Sequence, residues 1–406
     1  MQSPSNPPAI DISTILATSK PDLKPYEDLY RHLHKFPGIS LQEHRAAETA
    51  AKYLRDLDGF DVRTNIGGTG LIGILKNGEG KTVLLRADTD ALPVEELTGL
   101  PYASKKREVD IEDGIEKPVM HACGHDPNEE RGGGAKAMIA DGLYDPKKHA
   151  CPIPDVVLGQ HVWPAEAGTI GTRPGIFGSA ADSFRVTVYG RGGHASQPHT
   201  TIDPVVMAAH IIVRLQTIVS REVNPREGAV VTVGSVQSGT TENIISSEAT
   251  IKINVRTVTP ETRIKVLAAI KRIVKTECEA SGAPKEPLWE PTSSFPFTLN
   301  DEAVTKTIAT AFTKQFGDKY DPEAPVLGAS EDFAILATEA PNKNGGKGVP
   351  YTYWTFGGTD PEKLRKAKDS GDSIPMNHSP YFAPVIQPTL STGVDALIVV
   401  ALSYLA

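Results

Sequence analysis

The feature that most narrows the fold is a pair of short apolar, β-prone runs, Thr82-Val-Leu-Leu-Arg-Ala87 and Asp155-Val-Val-Leu-Gly159. A strand apolar on both faces must be covered on both, which parallel sheets achieve with crossover helices. The first run is closed by Asp88-Thr89-Asp90 and the second by Gln160-His161. Potential ligands therefore end both strands, where functional groups of open α/β sheets gather. Upstream, apolar positions recur at helical spacing from Tyr26 to Leu57, broken at Phe36-Pro37-Gly38. That pattern predicts one helix before the turn and a second from about Ser40, both covering the sheet.

A different texture begins near Ser183. Phe184-Arg-Val-Thr-Val-Tyr189 alternates like a half-buried antiparallel strand, Asp203 to Val219 reads as an amphipathic helix, and Ala229 to Gly234 and Ala249 to Arg256 as strands. Pro260 to Ala280 is a second helix and a last strand falls near Leu288. After about Phe297, helical patterns return at Asp301 to Gln315 and Glu331 to Thr338. The prediction is an α/β chain with a mostly parallel sheet in residues 1–181 and 297–406, interrupted by an α+β satellite domain at 182–296. Two domains suit 406 residues, more than one core usually organises. Lys343-Asn-Gly-Gly-Lys-Gly348 reads as a loop.

A net charge of -8 with 23% charged residues leaves no basic footprint for nucleic acid. Cys123, Cys151 and Cys278 are odd in number and dispersed, unlike a disulfide framework, which points to a reducing, cytoplasmic setting. The first thirty residues contain no apolar stretch behind a basic start. The apolar run Val394 to Ala406 falls short of the roughly 20 residues needed to span a bilayer, so a membrane is not an expected partner and a buried terminal helix is.

The chemistry concentrates in Met120-His-Ala-Cys123-Gly-His125-Asp126, followed closely by Glu129-Glu130. A thiolate and imidazoles suit a borderline-soft divalent ion, and of two adjacent carboxylates one can ligate while the other activates water. Asp88 and Asp90, two apart after a strand, are expected on one face; capping a helix or accepting Arg86 is the plainer alternative. His161 and His378 are ambiguous in isolation. In the satellite segment, Gly190-Arg-Gly-Gly-His194 leaves an imidazole unshielded. With Asn243 and Arg256 it offers an amide and a guanidinium suited to an anionic substrate, against the bland reading of a solvated turn and a surface Arg.

Together, Leu33-His34 through Glu43, Leu85 through Pro93, Met120 through Asp126, Glu129-Glu130 with Gly132 through Met138, Gly159-Gln-His161-Val-Trp-Pro164, Gly192-Gly-His194-Ala-Ser196, Ser330-Glu-Asp-Phe333 and His378-Ser-Pro380 resemble a known family. It comprises the metal-dependent amidohydrolases that include hippurate hydrolases, auxin-conjugate hydrolases and N-acyl-amino-acid deacylases, related to aminoacylase-type metallopeptidases. The resemblance implies cleavage of the amide bond of N-acyl amino acids at two divalent ions, manganese or zinc. It maps the metal ligands onto Cys123, His125, Glu130, His161 and His378. Glu129 maps onto the general base that takes a proton from water and returns it to the leaving amine. His194 resembles the satellite residue that stabilises the oxyanion, often across a dimer interface, and Asp88, Asp90 and Asp126 resemble groups that orient the ligands. A homodimer through the satellite domain is expected.

One departure matters. In relatives a helix and a core strand separate the His-Asp pair from the Glu pair, whereas here Asp126 runs directly into Pro127-Asn128-Glu129. A parallel crossover needs a dozen or more residues, so none is hidden there. Five extended residues still cover about 16 to 18 Å, enough for His125 and Glu130 to meet at one ion. Removing an inner strand, however, opens the pairing edges of its neighbours, which predicts lowered or lost activity. Two alternatives stand beside the hydrolase: a remnant that binds or dimerises without turnover, and a thiol enzyme using Cys123.

Overall fold

The computed structural model describes residues 12–111, 114–122 and 133–405. The amino-terminal part contributes helices α1 (Lys24–Lys35) and α2 (His44–Arg55), the hairpin β1 (Phe60–Ile66) and β2 (Gly70–Leu75), and strand β3 (Val83–Arg86). Helix α3 (Gly134–Ala140), the long strand β4 (Val156–Glu166) and the two-residue β5 (Ile170–Gly171) follow. The satellite elements are β6 (Ala180–Tyr189), α4 (Pro204–Thr217), β7 (Ala229–Gln237), β8 (Glu248–Thr257), α5 (Pro260–Ala280) and β9 (Leu288–Phe295). The chain then adds α6 (Glu302–Phe316), β10 (Tyr320–Asp321), α7 (Phe333–Thr338), β11 (Tyr351–Thr359) and α8 (Thr389–Leu405).

The main sheet has the order β10-β5-β11-β4-β3. Strands β3, β4 and β11 are mutually parallel, with Leu85 opposite Leu158 and Thr355 opposite His161, and only the β5–β11 pair is antiparallel. Both faces are covered, as the apolar runs require. Val156, Leu158 and Trp354 pack with Phe312 of α6 and Val399 and Val400 of α8, while Val157, Tyr351 and Tyr353 pack on the opposite side with Phe333 of α7 and Ala135 of α3. β4 is longer than the sequence suggests. It continues through His161 to Glu166 because β11 pairs with it along that stretch, so His161 lies inside the strand and does not close it.

The satellite sheet has the order β7-β8-β6-β9 and is antiparallel throughout. Alternation is strict in β8: Ala249, Ile251, Ile253 and Val255 face Met207, Ile211 and Leu215 of α4 and Val266, Ile270 and Val274 of α5. Each helix starts where its sequence provides a cap. Asp203 accepts from the Val205 amide and Thr259 from the Thr262 amide, each followed by proline at the first helical position.

The pairing of β2 and β3 bears directly on the departure noted above. Hairpin β1–β2 forms a sheet of its own, and among the described residues β2 pairs only with β1 and β3 only with β4. Leu85, in the middle of β3, is 45% exposed. The hairpin is held by side chains: Ile66 is fully buried against Leu143 and Val157, the Gly67 amide donates to Asp141, and Thr69 donates to Glu43 at 2.6 Å. Two strands with open edges are what loss of an intervening strand leaves behind. Restoring a helix and strand between Asp126 and Pro127 should raise the thermal unfolding midpoint by several degrees; equal midpoints would show that the hairpin needs no such neighbour.

Candidate active site

Cys123, His125, Asp126, Glu129 and Glu130 lie outside the described residues, but the chain on either side of them is fixed. On the amino-terminal side, Leu92 and Met120 exchange both backbone hydrogen bonds, and the His378 amide donates to the Ala122 carbonyl at 2.8 Å. His378 is thereby tied to the residue before Cys123. Its φ of +72° is unusual for a residue with a side chain and marks a held conformation. The side chain of Asn377 donates to the Val162 carbonyl at 3.3 Å, which brings the same loop to the residue after His161. One backbone and one side-chain hydrogen bond thus bring the His378 loop to the strand carrying His161 and to the approach to Cys123.

His161 is buried, and its Nδ1 lies against the Val162 carbonyl. A carbonyl only accepts, so Nδ1 carries the proton and Nε2 is the nitrogen with a lone pair, the tautomer a metal ligand requires. Alternation along β4 turns His161 and Trp163 to the side covered by α7. There a small cleft is lined by His161, Trp163, Glu331, Tyr353 and Leu327.

Asp88 and Asp90 part company. Strand β3 ends at Arg86, so the alternation expected to place both carboxylates on one face does not extend to them. Asp90 is buried and accepts from Ser40 at 3.0 Å, while its other oxygen, Oδ1, is buried without a hydrogen-bond partner among the described residues. A buried carboxylate oxygen demands a partner, and one supplied by a ligand-bearing imidazole or a cation fits that demand. Asp88 instead meets Arg86 at 2.7 Å, as the plainer alternative held.

Sequence reasoning offered Arg86 only as a partner for Asp88 and Asp90 and gave no individual role to Glu331 or Asp332. The Arg86 guanidinium bridges Asp88, Asp332 at 3.0 Å and Glu331 at 3.5 Å, joining the end of β3 to the start of α7. Burial works against its charge, but Asp88, Glu331 and Asp332 outweigh that and raise its pKa. Burial also pushes the Asp332 carboxyl up, opposed by Arg86. Glu43 is raised by burial against the hydrogen bond from Thr69. Behind Ala122, burial and then His34 draw His121 down to about 4, while His34 itself pairs with Glu96 at 3.0 Å. The buried carboxylates and the Ser330-Glu-Asp-Phe333 motif were visible in the sequence; their joining to Arg86 across some 245 residues was not.

In the satellite domain, His194 and Asn243 come together: Gly193-His194 pairs with Ile244-Ile245, and the Ala195 amide donates to the Asn243 carbonyl. Both residues are exposed. His194 Nδ1 accepts from the Ser196 amide at 3.1 Å, which places its proton on Nε2 as an outward donor. Arg256 is not part of that pair. It lies eight residues from Glu248 along β8, about 26 Å at 3.3 Å per residue, close to the strand end that joins the main domain. There it donates to Asn254 at 3.1 Å, and burial lowers its pKa.

Comparison with known proteins adds three findings. A family profile for a peptidase dimerisation domain matches residues 178–281. The chain is 35% identical over 342 residues to the N-acetyl-L-cysteine deacetylase of Bacillus subtilis, covering 77% of each, and 35% identical to the hippurate hydrolase of Campylobacter jejuni, covering 77% of this chain and 84% of that one. Because 77% of 406 residues fills 342 aligned positions, the deacetylase carries roughly thirty residues in that stretch with no counterpart here. A solved structure described as an aminohydrolase of methicillin-resistant Staphylococcus aureus superposes with a TM-score of 0.73 at 30% identity, covering 95% of this chain and 98% of that one. A dinuclear metal-binding peptidase of Bacillus subtilis shares the fold, with a TM-score of 0.64 at 24% identity over 93% of this chain and 96% of its own. No helix among the described residues is long and apolar enough to cross a membrane.

The Arg86 cluster yields a pH-dependent expectation. Arg86→Met strands buried Glu331 and Asp332, a loss of about 3 to 5 kcal/mol at neutral pH. Without the guanidinium, the folded pKa of Asp332, already raised by burial, rises further above the unfolded one, so the folded form gains stability by taking up a proton as pH falls. Urea midpoints at pH 7 and pH 5 should show the variant's deficit shrinking at the lower pH; a constant deficit would contradict this electrostatic role.

Proposed function

The chain belongs to the M20 family of metallopeptidases and amidohydrolases, and on that premise we propose that it hydrolyses the amide bond of N-acyl amino acids, with Glu129 as general base. The observation that supports the proposal is the hydrogen bond from the His378 amide to the Ala122 carbonyl, which ties the backbone of His378 to the residue before Cys123. His161, through its Nε2, together with Cys123, His125, Glu130 and His378, would hold two manganese or zinc ions. Bound ions would polarise the scissile carbonyl and acidify water. Asp90, whose Oδ1 has no hydrogen-bond partner among the described residues, and Asp126 orient the imidazole ligands, and Asp88 acts through Arg86.

Glu129 takes the proton from the attacking water and delivers it to the departing amino group, so the amine leaves neutral. Arg256 binds the substrate carboxylate near the domain junction. His194, with its proton on Nε2, donates to the oxyanion, and Asn243 accompanies it. Since His194 and Arg256 lie at opposite ends of β8, His194 serves the site of a second copy, which makes a homodimer part of the proposal. The division into residues 1–181 and 297–406 around a satellite at 182–296 belongs to the same reading, as does a cytoplasmic setting. The open edges of β2 and β3 favour a second reading, a chain that dimerises without turnover.

Thiol counting separates these readings. Burial pushes both Cys151 and Cys278 up to about 11, so neither is a reactive thiolate at pH 8. Protein purified with manganese should therefore show no reactive thiol and should hydrolyse hippurate. Chelator should expose one thiol, at Cys123, and abolish turnover. Glu129→Gln should lower kcat by about 10²- to 10⁴-fold with ion content unchanged. A thiol that reacts regardless of chelator, or turnover that survives it, would contradict the metal-dependent reading. Little bound metal and no turnover would establish the non-catalytic one.

A further inference from the structure

One oxygen, that of the Val162 carbonyl, serves both His161 and the loop that carries His378. His161 turns its Nδ1 to it, and the Asn377 side chain donates to it at 3.3 Å. A carbonyl oxygen has two lone pairs and no proton, so the Asn377 amide must face it with its NH2 group. Both lone pairs are then used. Consecutive Cα atoms are about 3.8 Å apart, so a single peptide separates this anchor from His378. The place in the sheet explains why a side chain is needed there: pairing between β3 and β4 ends at Gly159, while β11 continues beside Val162 through Phe356.

The rest of the loop is pinned to other elements. The Leu97 amide donates to the Pro380 carbonyl at 2.9 Å, Phe382 is buried, and the Val385 amide donates to the Gly358 carbonyl at 2.9 Å. His378 itself has a φ of +72°, which a residue with a side chain keeps only where its surroundings impose it. Two hydrogen bonds flank it, one from the Asn377 side chain to β4 and one from its own amide to the Ala122 carbonyl at 2.8 Å. We infer that Asn377 is a positioning residue, which by donating to the Val162 carbonyl holds His378 at a set distance from His161. Its consequence for metal binding and turnover rests on the hydrolase reading; the anchoring of His378 does not. Metal–ligand distances tolerate only about 0.2 Å, so freeing the loop weakens binding without removing a ligand. Substrate binding through Arg256, on β8, draws on a different element and should not feel the change.

The test compares Asn377→Leu and Asn377→Asp, which keep the branched shape of the side chain and remove its donor, with Ser379→Ala. That third variant removes a different contact of the same loop, the hydroxyl that accepts from the Tyr381 amide at 3.2 Å. Hydrogen exchange at the His378 amide in the metal-free full-length chain reads the anchor. It should accelerate by about tenfold or more in both Asn377 variants and stay at the wild-type rate in Ser379→Ala. Manganese affinity, read by chelator competition, should fall about 10- to 100-fold in Asn377→Leu. With manganese saturating, kcat for hippurate should fall about tenfold or more with KM within about twofold, the signature of a disturbed chemical step.

Unaltered exchange in Asn377→Leu would overturn the anchor, as would equal acceleration in Ser379→Ala, which would mark a general loosening of the loop. Accelerated exchange with manganese affinity unchanged from that of a manganese-binding wild type would overturn the positioning role. A wild-type chain that binds no manganese, or binds it without turnover, would count against the hydrolase reading alone, leaving exchange to decide the anchor.

Discussion

The main sheet is arranged around β4, the strand that pairs with β3 along Val156–Gly159 on one side and with β11 from Val157 to Glu166 on the other. Parallel pairing on both sides requires apolar cover on both faces, and Val156, Val157 and Leu158 supply it in alternation. The same alternation sends His161 to the face where α7 begins, so Glu331 and Tyr353 share its cleft. A one-residue slip of β4 against β11 would turn His161 to the side of α8 and put Val162 in its place. The placement of His161 and the core packing are therefore fixed by the same set of hydrogen bonds.

Arg86 is the electrostatic counterpart of that strand. Three carboxylates surround one guanidinium in a largely buried setting, an arrangement that breaks badly when the cation is removed and that holds β3, α3 and α7 in one relation. Asp90 lies just beyond it, on the other side of Asp88, with one oxygen satisfied by Ser40 and the other turned to no protein donor among the described residues. The two aspartates look equivalent in the sequence and do different work: Asp88 neutralises Arg86, while Asp90 is buried and accepts from Ser40.

What could be read from the sequence follows from which forces are local. The satellite domain was legible because strict alternation in Ala249 to Arg256 and the caps at Asp203 and Thr259 are local signals, and its helices and strands fall within a few residues of their expected positions. The end of β4 was not, because β11, nearly two hundred residues away, extends the pairing past His161. The sharing of one face by Asp88 and Asp90 failed for a related reason: the pleat stops at Arg86, where pairing with β4 stops at Gly159. The motif residues Glu331 and Asp332 stood out by composition, but nothing local shows that their partner is Arg86. That pairing edges would be left open was anticipated from the abrupt step from Asp126 to Pro127, but not which strands carry them: the sequence reading placed no strand between Leu57 and Thr82, where β2 lies.

The central claim is that Cys123 shares a metal ion with imidazoles gathered by the Ala122–His378 and Val162–Asn377 contacts. X-ray absorption at the zinc edge of zinc-loaded protein tests it most directly. The account predicts a sulfur scatterer at about 2.3 Å beside nitrogen and oxygen ligands near 2.0 to 2.2 Å, with the sulfur lost in Cys123→Ser. A coordination shell of nitrogen and oxygen alone in the unaltered chain would contradict it.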